Sequence, residues 1–172
     1  MRPFIPLASA LLISGAIVTE TVYGLAAWAD RATGTAWIAG TQRHESRLGA
    51  FKLVAAESGV SAVLDHAFRA PVEHRGQNLR QEDEDIVEAG WGPQVEGVAT
   101  DRATGTVHAG QEDVGIWSGP MTGGDLSLAY GTRGSRMSYF WNPDSVITRD
   151  VEGLTIYYAA DGTRYLLASS QG

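Results

Sequence analysis

One six-residue stretch, DRATGT, occurs twice in this chain of 172 residues, at 30–35 and again at 101–106. Each copy lies between two short apolar runs, and a looser copy, with Asp and then Gly-Thr, lies within VEGLTIYYAADGTRYLLASSQG near the C-terminus. Aspartate starts tight turns by accepting nearby backbone N–H groups, and glycine supplies a positive φ. The pattern predicts three β-hairpins with turns at 32–34, 103–105 and 161–162.

A strand-turn-strand unit that recurs along a chain is typical of a β-propeller, in which each blade is a small antiparallel sheet. The 21 glycines and the lack of helical periodicity favour turns and strands, with one short helix predicted within 79–90. We therefore predict an all-β fold of antiparallel propeller blades. The alternative is a β-sandwich that contains two similar hairpins.

The N-terminal segment, 1–21, has a basic start followed by a mostly apolar run. It predicts either a signal peptide, which would place the protein in the periplasm or outside the cell, or a strand segment of the folded domain. The run is too short and interrupted for a transmembrane helix. The blade domain is predicted over 22–172, with 69–93 as an inserted acidic loop whose charges are solvated.

The charge balance limits the partners of this protein. Twenty acidic and 13 basic residues give a formal net charge of −7, which is the wrong sign for a general nucleic-acid binder and suits a protein that collects cations. Cysteine is absent, so disulfides and thiolate metal sites are excluded.

Several carboxylates occur at related places in the repeat. VEG is found at 95–97 and at 151–153, so the repeat predicts that Glu96 and Glu152 lie close together. Glu112 follows in GQEDVGIW, and Asp150 precedes Glu152 by two positions, which on a strand would place both side chains on one face. Clustered carboxylates without cysteine favour Ca²⁺ or Mg²⁺. The alternative is a solvated acidic edge.

Three segments carry a resemblance to a known family. VYGL, QEDVGIW and DVEGLTIYYAADGTRYLLASSQG resemble segments of the β-propeller phytases, which are calcium-dependent alkaline phytases. The resemblance covers 22–53 and 94–172. It implies a six-bladed propeller that removes phosphate from phytate, myo-inositol hexakisphosphate, with calcium ions bridging carboxylates to substrate phosphates and a metal-activated water attacking phosphorus.

The resemblance also implies roles for individual residues. Tyr23 in VYGL matches a tyrosine that helps to hold calcium. Four acids match active-site and calcium-binding positions, and Arg43 falls near a phosphate-binding lysine of the family. The four acids are Glu96, Glu112, Asp150 and Glu152.

The resemblance covers about three of the family's six blades, so the missing blades of the same propeller are expected partners, and the isolated chain is expected to be weakly active or inactive. A rival interpretation is a non-catalytic calcium-binding propeller module for protein interaction. RHESRLG at 43–49 resembles the RHGxRxP motif of histidine acid phosphatases, but Glu45 and Gly49 depart from it. That motif lacks its context, and we set it aside.

Overall fold

The computed structural model describes residues 23–42, 47–56, 59–69, 94–133 and 142–171. These ranges form ten β-strands and no helix. In chain order the strands are β1 (Leu25–Asp30), β2 (Thr35–Gln42), β3 (Arg47–Ala56), β4 (Gly59–Arg69), β5 (Val95–Asp101), β6 (Thr106–Gln111), β7 (Gly115–Pro120), β8 (Ser127–Gly131), β9 (Val151–Tyr158) and β10 (Arg164–Ser170).

The strands form three successive antiparallel sheets. The first sheet has the order β1-β2-β3-β4, the second has β5-β6-β7-β8, and the third pairs β9 with β10. Neighbours in each sheet are therefore also neighbours in sequence, which is the arrangement expected of consecutive blades. The prediction of an all-β fold built from antiparallel sheets is confirmed.

The predicted hairpins occur where the repeat places them. Residues 31–34 join β1 to β2, 102–105 join β5 to β6, and 159–163 join β9 to β10. In both DRATGT copies the aspartate side chain accepts from the N–H two residues later, at 2.9 Å for Asp30 and 2.8 Å for Asp101. Gly34 and Gly105 then take φ values of 73° and 69°, as the turns require.

The main core lies between the first and second sheets. Apolar side chains from the facing sides of both sheets are buried together, because neither sheet can bury its apolar face alone. Trp28 stacks on Trp37 at the edge of this core, with ring centroids 5.1 Å apart. The buried members are Trp37, Ala39, Leu48, Ala50, Phe68, Val95, Val98, Val107, Ala109, Val114, Trp117, Met121 and Leu126.

The strand β5 connects the three sheets. It contacts β1 and β2 on one side and β9 on the other, and nearly all its residues are buried. On β9, by contrast, more and less exposed residues alternate, so one face packs against the second sheet and the other is open among the described residues.

Several predictions fall outside the described residues. These are the N-terminal segment 1–21, Arg43, the helix predicted within 79–90 and nearly all of the acidic loop. Of that loop, only position 69, the last residue of β4, is described.

The close packing of β5 against β9 can be tested at Gly97. A Cβ at this position would collide with the backbone carbonyl of Glu152, whereas at Gly153 it would lie 3.2 Å from the Ser169 hydroxyl. We expect Gly97→Ala to lower the free energy of unfolding by about 1–3 kcal/mol, the usual cost of overpacking. Urea unfolding followed by tryptophan fluorescence measures this difference.

The matched control for this test is Gly153→Ala. This substitution changes the glycine of the second VEG segment, on the third sheet. We expect it to alter the free energy of unfolding by less than about 1 kcal/mol, since nothing rigid in the described part opposes the new methyl group. Equal effects of the two substitutions would contradict the close approach at Gly97.

Candidate functional site

Three predicted site residues occupy the same position at the starts of neighbouring strands. Tyr23, Glu96 and Glu152 each directly precede a glycine, in VYG, VEG and VEG. A Cβ on Gly24 would collide with the carbonyl oxygen of Glu96, and a Cβ on Gly97 would collide with that of Glu152. The three backbone segments therefore pass close to one another in the order first, second, third sheet.

A buried threonine holds the first of these segments in place. Thr41 is fully buried, and its hydroxyl accepts from the backbone N–H of Tyr23 at 3.3 Å and of Gly24 at 2.9 Å. The Thr41 N–H in turn donates to the Gly24 carbonyl at 3.1 Å. Sequence reasoning missed this residue, because a threonine within a strand has no distinctive motif.

Backbone hydrogen bonds bring Glu112 next to Asp150. The Glu112 N–H donates to the carbonyl of Gln94 at 2.9 Å, and its own carbonyl accepts from Asp150 at 2.8 Å and from Val151 at 3.3 Å. Glu112 thus links the residue before β5 to the residues at the start of β9. All four predicted acids have their backbones in one region, where the second and third sheets meet.

Glu112 lies in the turn between β6 and β7. The prediction that Asp150 lies on a strand with Glu152 is wrong. Asp150 precedes β9 and has a φ of 68°, so the alternation along a strand does not place its side chain on the face of Glu152. Aspartate is one of the few residues that adopt this left-handed conformation at modest cost.

The side chains are less closely grouped than the backbones. Among the described ranges, no three Asp, Glu or His side chains are placed so that they could hold a metal ion together. Carboxylate oxygens are suitable donors for Ca²⁺, but a calcium ion takes six to eight oxygen ligands. The described residues have the right donor chemistry and do not form a complete calcium site.

Sequence reasoning also missed an ion pair between the second and third sheets. Asp101, in the second DRATGT copy, is 7 % exposed and accepts from Arg164 Nη1 at 2.5 Å and from the Tyr158 hydroxyl at 3.3 Å. The Tyr158 oxygen accepts from the N–H of Arg102 at 2.8 Å. The repeat identifies Asp101 as a turn residue, but no sequence motif identifies its partners Tyr158 on β9 and Arg164 on β10.

The surroundings of Asp101 act on its ionisation in opposite directions. Burial alone would raise the pKa of Asp101, but hydrogen bonds from Ala103, Thr104 and Tyr158 and the charge of Arg164 together hold it below its usual value. In the first copy, the Thr33 hydroxyl and the Ala32 N–H lower the pKa of Asp30 within its own turn. The first DRATGT copy therefore forms only a turn within its own sheet. The second copy forms the same turn and also contacts the next sheet through Asp101.

A histidine-serine pair lies on neighbouring strands of the second sheet. His108 Nδ1 is 2.7 Å from the Ser118 hydroxyl. Burial lowers the pKa of His108, and the negative charge of Asp101 opposes this effect in part. His108 is therefore held neutral near pH 7 and contributes to packing.

The comparisons with known proteins agree with the family resemblance of the sequence motifs. Residues 81–172 match the sequence model of the Phytase family, which is more than half of the chain. The described residues define an all-β protein built from successive antiparallel sheets. This chain belongs to the phytase family.

A curated relative supports the same assignment. The chain is 38 % identical over 79 residues to a 3-phytase of Bacillus subtilis (strain 168). The aligned part makes up 46 % of this chain and 19 % of the relative. The chain thus spans about a fifth of the length of the curated relative it matches. Because so little of the relative is covered, phytase activity of this chain is treated below as a proposal.

The two DRATGT copies allow a matched comparison of the Asp101 contact. We expect Asp101→Asn to lower the free energy of unfolding by about 1.5–3 kcal/mol, because a mostly buried carboxylate loses charge-assisted bonds to Arg164 and Tyr158. Asp30→Asn should cost clearly less, since it changes only an exposed turn. Urea denaturation of both variants measures the difference, and equal losses would contradict a special role for the second copy.

The ionisation of His108 predicts a pH dependence of stability. Because burial lowers its pKa in the folded protein, the unfolded chain binds the proton more readily, and stability falls as the pH drops below about 6.5. We expect His108→Gln to remove part of this loss between about pH 7.5 and pH 5.5. Urea midpoints across that range test it, and identical pH profiles for the wild type and the variant would contradict it.

Proposed function

We propose that this chain provides part of the active site of a phytase-type phosphomonoesterase. Its substrate would be phytate, which is hydrolysed to lower inositol phosphates and free phosphate. Membership of the phytase family supports the reaction class. The observation that carries the proposal is the convergence of the Tyr23, Glu96 and Glu152 backbones, together with the hydrogen bond between Glu112 and Asp150.

Calcium is the proposed cofactor. A protein with a net charge of −7 repels a dense polyanion such as phytate, and a bound divalent cation would reverse the sign of the charge that the phosphates meet. The carboxylates of the converging segments have the hard oxygen donors that calcium prefers. Because the described side chains do not complete a site, we propose that further ligands come from other blades of the family domain.

The proposed roles of this chain's own residues follow from their positions. Glu96 is 6 % exposed, so the residue is enclosed by the surrounding fold. Glu152 lies at the equivalent place on the next sheet, and Tyr23 at the equivalent place on the first. Arg43 would bind a substrate phosphate with its planar guanidinium, although it lies outside the described residues.

The proposed location of this activity is the periplasm or the outside of the cell. This proposal depends on a signal peptide in 1–21, a segment outside the described residues. No helix among the residues that the structure describes has the length and apolarity needed to cross a membrane.

A second candidate is a non-catalytic calcium-binding module for protein interaction. The two candidates differ in one measurable property, the release of phosphate from phytate.

The decisive experiment measures phosphate release from phytate by two proteins, with calcium and with a chelator. The first is the 172-residue chain, and the second is the same chain extended with the remaining blades from a phytase of the family. We expect weak or no activity from the first protein, because an incomplete ligand set cannot hold calcium tightly. The extended protein should release phosphate in a calcium-dependent manner.

Single substitutions in the extended protein then test the site. We expect Glu152→Ala to reduce phosphate release by at least about tenfold, the scale of loss when a group supporting a metal site is removed. Asp125→Ala is the control, since it removes the same charge from an exposed loop residue outside the predicted site. Undiminished activity after Glu152→Ala would show that the site is misplaced, and full activity of the isolated chain would show that the other blades are dispensable.

A further inference from the structure

The turn that carries Glu112 begins and ends on fully buried residues. It runs from Gln111, the last residue of β6, to Val114. The Gln111 carbonyl accepts from the Val114 N–H at 3.1 Å, which closes the turn. Glu112 is the second of the four turn residues, so its position depends on how firmly the two ends are held.

A side-chain hydrogen bond holds the first end of the turn. Gln111 Oε1 accepts from the indole N–H of Trp117 on β7 at 2.8 Å, and Trp117 is 3 % exposed. An indole N–H can only donate, so it determines which way round the Gln111 amide lies. In the register of β6 with β7, Gln111 is opposite Gly115, and Trp117 is therefore its diagonal neighbour. The bond thus joins the two strands directly beside the turn.

A glutamine at this place has a cost and an effect that an apolar residue would not have. Its partner Trp117 belongs to the main core, in which a leucine or a methionine would be buried without needing a partner. A buried amide costs free energy unless it is hydrogen-bonded, but once bonded it has a direction that an apolar contact lacks. Gln111 therefore gives the start of the turn one orientation.

The second end of the turn is held by Thr132, which is also fully buried. The Thr132 N–H donates to the Val114 carbonyl at 3.0 Å, and the Thr132 hydroxyl donates to the same oxygen at 3.3 Å. Between these two ends, the Glu112 carbonyl accepts from the Asp150 N–H at 2.8 Å. A displacement of the turn would therefore move the backbone of Asp150 as well as that of Glu112.

We propose that Gln111 is a positioning residue for the candidate site. Through its bond to Trp117 it holds Glu112, and through the Glu112 carbonyl it holds the backbone of Asp150. The role of these two acids in calcium binding rests on the proposed function, whereas their backbone positions do not. The bond also gives a structural role to the first and last residues of the motif QEDVGIW.

Amide hydrogen exchange of the 172-residue chain tests this positioning without substrate or calcium. Gln111→Met and Trp117→Phe each remove one partner of the bond and leave an apolar side chain in its place. Because the Asp150 N–H is bonded to the turn, we expect its exchange to become at least about threefold faster relative to that of the Ala109 N–H within β6. Both variants should show this change.

Val107→Ala is the matched control for loss of stability alone. Val107 is fully buried on the same strand, and its truncation removes core contacts without changing the turn. It should speed up the exchange of the Asp150 and Ala109 amides alike. The proposal would be overturned if the Asp150 amide exchanged as in the wild type after loss of the bond, or if Val107→Ala gave the same relative increase.

The consequence for the site is measured in the chain extended with the remaining blades. Removing a group that orients a metal ligand from outside the ligand set typically lowers metal affinity about tenfold or more. We therefore expect Gln111→Met to raise the calcium concentration for half-maximal phosphate release about tenfold, and Val107→Ala to leave it unchanged.

The two proposals fail in different ways in these measurements. An unchanged calcium requirement in Gln111→Met, beside an active unmutated protein, would count against the role of Gln111 and leave the phytase proposal standing. An unmutated extended protein without calcium-dependent phosphate release would count against the phytase proposal, and amide exchange in the 172-residue chain would still decide whether Gln111 holds Glu112 and Asp150.

Discussion

The structure depends on the close approach of strand backbones at two glycines, Gly24 and Gly97, which follow the predicted site residues Tyr23 and Glu96. At Gly97 the backbone of β5 lies so near the Glu152 carbonyl that no side chain fits between them. Because Tyr23 and Glu96 directly precede these glycines, the packing requirement and the grouping of the site residues have the same cause. The glycine allows the backbones to pack closely, and the packing in turn fixes the position of the residue that precedes the glycine.

The two DRATGT copies show how position in the fold changes the role of an identical sequence. Asp30 holds its own turn, whereas Asp101 also binds Arg164 and Tyr158 of the following sheet. A buried carboxylate is stable only when paired, so the second copy ties the second sheet to the third. Trp28 packs against Gly105 from the other side, which places this hairpin between the first and third sheets.

The hairpins were predictable because local interactions decide them. An aspartate and a glycine at fixed spacing define the turn wherever it occurs, and the flanking apolar runs have the alternation of strands. The left-handed backbone of Asp150 and the buried hydroxyl of Thr41 were not predictable from local sequence. Both depend on hydrogen bonds with residues far along the chain, namely Glu112 for the first and Tyr23 for the second. The ion pair of Asp101 is non-local in the same sense, since Arg164 lies 63 positions away.

The difference between backbone and side-chain grouping bears on how such a site would work. The backbones of the predicted acids lie together because the sheets pack closely at Gly24 and Gly97. Bringing several carboxylate groups to one point without a cation would be unfavourable, since like charges in a partly buried region repel. Side chains that came together only around a cation would avoid that repulsion. In the proposed calcium site, the fold would supply the backbone framework, and a cation and the neighbouring strands would determine the final arrangement of the oxygen ligands.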